Sequence, residues 1–112
     1  MADFDRKLTV ADQTLAFGLT WMVSHRRYDA SNVKMWAAVL RDVIPFASDD
    51  HSIVKPMIEA ATYLIANING DGEPGVDHAW AQLRASTAVE GFAQWRAARS
   101  YEVFKQMRGD DR

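Results

Sequence analysis

A chain of 112 residues, 48% hydrophobic and 25% charged, has room for one globular domain that buries roughly two thirds of the surface its unfolded form exposes. Its formal charge of −2 provides no global attraction for nucleic acid or anionic lipid. The lack of cysteine excludes disulfides, thiolate metal sites and cysteine nucleophiles, and fits a reducing, cytoplasmic setting.

Residues 1–7 carry Asp3 and Asp5 where a secretory leader would be basic, so they read as a frayed end of the domain, as do residues 109–112. Thr9 and Asp12 have the spacing of a capping box, in which each side chain satisfies a free backbone amide at a helix start. A first helix is therefore expected from Thr9 to about Arg27. It has two apolar stripes, one through Leu15, Leu19 and Met22 and one through Val10, Phe17, Trp21 and Tyr28, which requires two neighbours. Asp29 caps a second helix that ends near Ile44, because Pro45 disfavours helical geometry in the residue before it. Its stripe is Val33, Trp36, Ala37, Leu40 and Val43.

The third segment, 52–69, is apolar on nearly its whole circumference, with Val54, Met57, Ile58, Ala61, Leu64, Ile65 and Ile68 at spacings of three and four. Such a helix belongs at the centre of a bundle. Lys55, Pro56 and Glu59 interrupt it, and it is shorter than the about 20 residues of a membrane span, so no membrane association is expected. Asn69-Gly70 and Asp71 to Gly75 are concentrated turn chemistry, after which Asp77 caps a helix carrying Trp80 and Leu83. Thr87 and Glu90 form a second capping-box pattern, which predicts that residues 77–107 break near Ser86 into two helices. The last of these is expected to bury Val89, Phe92, Ala93, the stem of Arg96, Val103, Phe104 and Met107. The fold expected is a single all-α domain, a small bundle of four to five helices with the 52–69 helix central.

Motifs that carry chemistry are few. Asn67-x-Asn69-x-Asp71-Gly72 resembles the first half of a calcium-binding EF-hand loop, but its twelfth position is His78 instead of a bidentate glutamate, so no calcium is expected. His25, His51 and His78 read as exposed cap neighbours, and a zinc site needs three or four ligands, so no metal or other cofactor is expected. The chain lacks a nucleophile elbow, a phosphate-binding glycine loop and a zinc-protease helix, and it does not read as an enzyme. A helix-turn-helix is excluded because the third helix is a buried cylinder without a basic face.

Tryptophans 21, 36, 80 and 95 are many for this length. Trp36 and Trp80 read as core. Trp21 and Trp95 fall at the margins of their stripes, and with Phe17, Tyr28 and Tyr101 they are the residues expected to contact a partner. Arg26, Arg27, Arg96 and Arg99 would form its polar rim. The function expected is a non-enzymatic interaction module binding another protein or a second copy of itself as a homodimer, an adaptor or inhibitor. The alternative is a nucleoprotein subunit whose arginines contact phosphates. Arginine outnumbers lysine nine to four and alanine occurs 17 times, a bias typical of GC-rich bacterial or phage genes.

Overall fold

The computed structural model describes residues 6–24 and 27–109. These residues form an all-α bundle of four helices: α1 (Val10–Ser24), α2 (Ala30–Val43), α3 (Val54–Ala66) and α4 (His78–Arg108), with a 3-10 turn at Ile44–Phe46. The expectation that both termini fray falls partly on residues 1–5 and 110–112, outside the described residues. Of the remainder, Arg6 pairs with Asp50 at 2.7 Å, and Gly109 closes α4 in the left-handed conformation at φ 76°.

The capping box at the start of α1 forms as its spacing predicts. The Thr9 amide donates to Asp12 Oδ2 at 3.0 Å and the Asp12 amide to Thr9 Oγ1 at 3.1 Å. Asp12 is also fully buried and takes two further donors from the loop before α3, the Ser48 amide at 2.7 Å and the Ser48 hydroxyl at 2.8 Å. Burial alone would raise its pKa, but these bonds to Ser48 and Thr9 outweigh it and hold the carboxyl below its usual range. Asp29 caps α2 through its bond from the Asn32 amide.

The core is built from Leu15, Leu19 and Met22 of α1, Val33, Ala37 and Leu40 of α2, Met57, Ala61 and Leu64 of α3, and Ala81, Ala85 and Phe92 of α4. Helix α3 touches the other three helices, and Leu64 is 1% exposed. Helices α1 and α2 approach closely at Gly18. A methyl group there would stand 3.0 Å from the Leu40 side chain and 3.1 Å from the Trp36 ring.

Residues 67–77 form a tight turn. Ile68 and Pro74 make an isolated antiparallel bridge, and the Gly75 amide donates to the Asn67 carbonyl at 2.7 Å. Asp71 Oδ1 accepts the Glu73 amide and Asn67 Oδ1 the Asp77 amide, so these oxygens close the turn. Gly72 has φ 89°, and any Cβ there would meet the Ala30 carbonyl oxygen at 2.1 Å; the turn rests directly on the start of α2.

Three sequence expectations are corrected. Residues 78–108 form one helix without a break at Ser86. A capping box acts only where the preceding backbone leaves the helix, and the alanine-rich run before Thr87 gives it no reason to do so. The Thr87 hydroxyl instead donates back to the Leu83 carbonyl, as an interior helical threonine does. Second, α4 outruns the core: Phe92 is buried, but Ala93, Arg96, Val103 and Phe104 are exposed and Met107 is 82% exposed. Trp80, expected in the core, is 58% exposed. Third, His51 and His78 are buried, not exposed; His25 lies outside the described residues.

Two predictions follow from this packing. Leu64→Ala should lower the unfolding free energy by about 2–5 kcal/mol in urea titration, whereas a change near zero would show that α3 is not central. Stability should also fall in acid in two stages. His78, depressed by burial, binds its proton more weakly in the folded chain, so its contribution is intact above the ordinary histidine value of 6.5 and is lost as pH falls through the lower native value. Asp12 behaves likewise below its ordinary 3.8. Urea titrations across pH should show the lower stage vanish in Asp12→Asn, which is less stable than the parent at neutral pH.

Candidate partner-binding groove

Helix α4 packs along α1, and a furrow runs between the two helices from Val89 towards Val103 of α4. Three adjoining hollows make up this furrow, and Arg96 lines all of them. The largest, about 480 Å³, is bounded by Lys7, Leu8 and Gln13 on one side and by Trp95, Arg99, Ser100 and Val103 on the other. The others continue it along Ala16, Phe17 and Thr20 of α1 and Val89, Phe92 and Ala93 of α4.

The wall before α1 is held from two directions. The Arg6 guanidinium bonds Asp50 and the Arg6 carbonyl accepts Arg99 Nη1 at 3.0 Å, while Gln13 Nε2 donates to the Leu8 carbonyl. Together these bonds lay residues 6–8 across the end of the bundle beside α4. Behind the groove, the loop before α3 is pinned to Asp12 through Ser48, and His51 follows in a turn whose amide donates to the Ser48 carbonyl. The buried His51 ring takes the Ile53 amide on Nδ1 and stands edge-on to Trp95 at 5.7 Å between centroids. Trp95 in turn lies 5.9 Å from Phe92, with the Arg99 guanidinium 5.5 Å from its ring centre. The groove floor thus rests on the α1 cap through a chain of buried contacts.

Phe17 forms the outer ridge. It is 64% exposed and leans on Trp36 at 5.5 Å, and Trp36 also carries Trp21 at 5.9 Å. The second apolar stripe of α1 is therefore only partly covered by α2, as Trp36 is the one large ring that α2 offers it.

Of the residues singled out in the sequence, the structure brings Phe17, Trp95, Arg96 and Arg99 to this groove. It separates the others. Trp21 packs on the α2 side of α1. Tyr28 bonds the Gly72 carbonyl at 2.7 Å and abuts His78, so it braces the 67–77 turn; burial and the nearby Glu73 and Asp71 raise its pKa. Tyr101 is exposed, does not line the groove and has Lys105 Nζ 5.5 Å from its ring. Arg27 is exposed, and Arg26 lies outside the described residues. Sequence reading missed Lys7, Leu8, Gln13, Phe92 and Val103 as groove residues. The signal available was the apolar spacing of Phe92 and Val103, which was assigned wholly to the core.

No protein-family model, curated protein or solved structure matches this chain. What the groove does is therefore read from its own geometry.

A groove ridge and a core residue respond differently to truncation. Phe92→Ala should cost about 3–5 kcal/mol, whereas Phe17→Ala, losing mainly its contact with Trp36, should cost about 1 kcal/mol or less in the same denaturant titration. Equal losses would place Phe17 in the core and close the groove.

Proposed function

We propose that this chain is a non-enzymatic helical interaction module whose binding surface is the furrow between α1 and α4. The observation that carries this reading is the continuation of the α4 apolar stripe beyond the core. Phe92 is buried, but Val103 is exposed and lines a groove rimmed by Arg96, and Phe104 and Met107 farther along the helix are also exposed. An exposed apolar surface rimmed by cations is what a protein–protein contact covers, and aromatic and arginine side chains carry most of the energy in such contacts. An adaptor or inhibitor that docks on a protein target, within the cytoplasm of a bacterial or phage-infected cell, accommodates these features. Self-association as a homodimer through Phe17 is the variant of this reading in which the second copy is the partner.

The test is photo-crosslinking in the source cell from benzoylphenylalanine placed at position 17 or 103, with position 55 on the exposed face of α3 as control. The expected outcome is a discrete protein adduct from both groove positions and none from the control, identified by mass spectrometry. Adducts from all positions alike, or none from the groove, would overturn the reading. Nucleic acid adducts from position 103 whose yield falls steeply with salt would instead support phosphate binding by the arginines.

A further inference from the structure

Charge and backbone geometry narrow what the groove accepts. Lys7 and Arg96 stand along it, and none of the described residues lining its three hollows is an aspartate or glutamate. In a chain of net charge −2, Lys7 and Arg96 give the described lining of this furrow a local excess of cations. Its long walls are helices α1 and α4, whose backbone groups are engaged within the helices, so they present no strand edge on which an extended peptide could add a strand. The α4 wall extends from Val89 to Val103, about 21 Å at 1.5 Å per residue, the length of a helix of about four turns. The floor under it is apolar, through Phe92, Trp95 and Val103.

Resting on the interaction-module reading above, we propose that the groove binds an amphipathic helix of about four turns from another protein, with an apolar stripe flanked by aspartate or glutamate. The apolar anchors, spaced at i, i+4 and i+7, lie along Phe92 and Val103, and the flanking carboxylates meet Arg96 and Lys7. The exposed end of α4 from a second copy is a poorer occupant. Between Arg99 and Arg108 it carries Arg99, Lys105 and Arg108 against the single carboxylate of Glu102, and those cations would face Arg96 and Lys7. Duplex or single-stranded nucleic acid would satisfy the cations but leave the apolar floor without a partner unless bases stacked on it.

The experiment uses the full chain and three synthetic 16-residue peptides, followed by the indole resonances of the tryptophans in NMR titrations. The first has leucines at i, i+4, i+7 and i+11 flanked by glutamates. The second replaces every glutamate with lysine, and the third scrambles the first so that no stripe remains. The first is expected to shift the Trp95 indole signal and to bind at least tenfold more tightly than the other two. In Arg96→Glu, an exposed position where folding can be checked by circular dichroism, the preference should invert towards the lysine peptide, whereas Arg96→Lys keeps it.

Equal binding of the glutamate and lysine peptides, with no inversion in Arg96→Glu, would overturn the acidic partner. So would shifts confined to tryptophans other than Trp95, or no binding by any peptide. Crosslinked protein from positions 17 and 103 would still uphold the interaction module in each of these cases, so the two readings fail separately. Tight, salt-sensitive binding of a labelled oligonucleotide that displaces the glutamate peptide would replace the proposal with phosphate recognition.

Discussion

The carboxylate of Asp12 holds the bundle in register. A buried charge with no partner would cost several kcal/mol, yet this one accepts two amides and a hydroxyl and is held ionised by them. Two of those donors come from Ser48, 36 positions away, so the bond that starts α1 also fixes the loop that starts α3. Were Asp12 only a local cap, its loss would fray one helix end. As a tie between two elements, its loss would also leave the Ser48 amide without its acceptor and free the turn that carries His51. That turn supports Trp95, and through it the position of α4.

The groove results from a mismatch of lengths. Helices α1, α2 and α3 have 15, 14 and 13 residues, whereas α4 has 31. At 1.5 Å per residue α4 extends about 46 Å, roughly twice the length of its neighbours, so they cannot cover it to its end. The molecule is 56 Å in its longest dimension and 20 Å in its shortest. Helix α4 is fully buried only as far as Phe92, with Trp95 half-buried against the core, and beyond them the same side of the helix faces the furrow. Residues 6–8, tied to Asp50 and Arg99, form the far wall.

The aromatic residues divide according to which helix pair they join. Trp36 serves the α1/α2 crossing, where Gly18 admits its ring to the α1 backbone. Tyr28 and His78 brace the 67–77 turn against the start of α4. Trp95, like Phe92, links the interior to the furrow, with His51 behind it and Arg99 in front. A change at Trp95 would therefore be felt on both sides, unlike one at Phe17, whose outer face meets water.

The local patterns were sufficient for the architecture. The all-round apolar character of 52–69 placed α3 at the centre, the Thr9–Asp12 spacing placed the start of α1 and Asp29 that of α2, because caps and periodicity act over a few residues. Helix α2 ends near the expected residue, but Ile44 before Pro45 keeps helical geometry and the chain tightens into a 3-10 turn. The same local logic failed at Ser86, since Thr87 and Glu90 can cap only where the chain turns, and nothing in the tertiary structure turns it there. Periodicity also shows which side of a helix is apolar without showing how far its neighbours extend. Val103 and Met107 share their side of α4 with Phe92, yet only the lengths of α1 and α3 decide that one is buried and the others are bare. Phe17, Trp95, Arg96 and Arg99, candidate contact residues chosen from the sequence, line one furrow. Their meeting with Lys7 and Leu8 along one furrow was decided by the tertiary structure, because the contacts that assemble it join residues more than 40 positions apart through Asp50, His51 and Arg99.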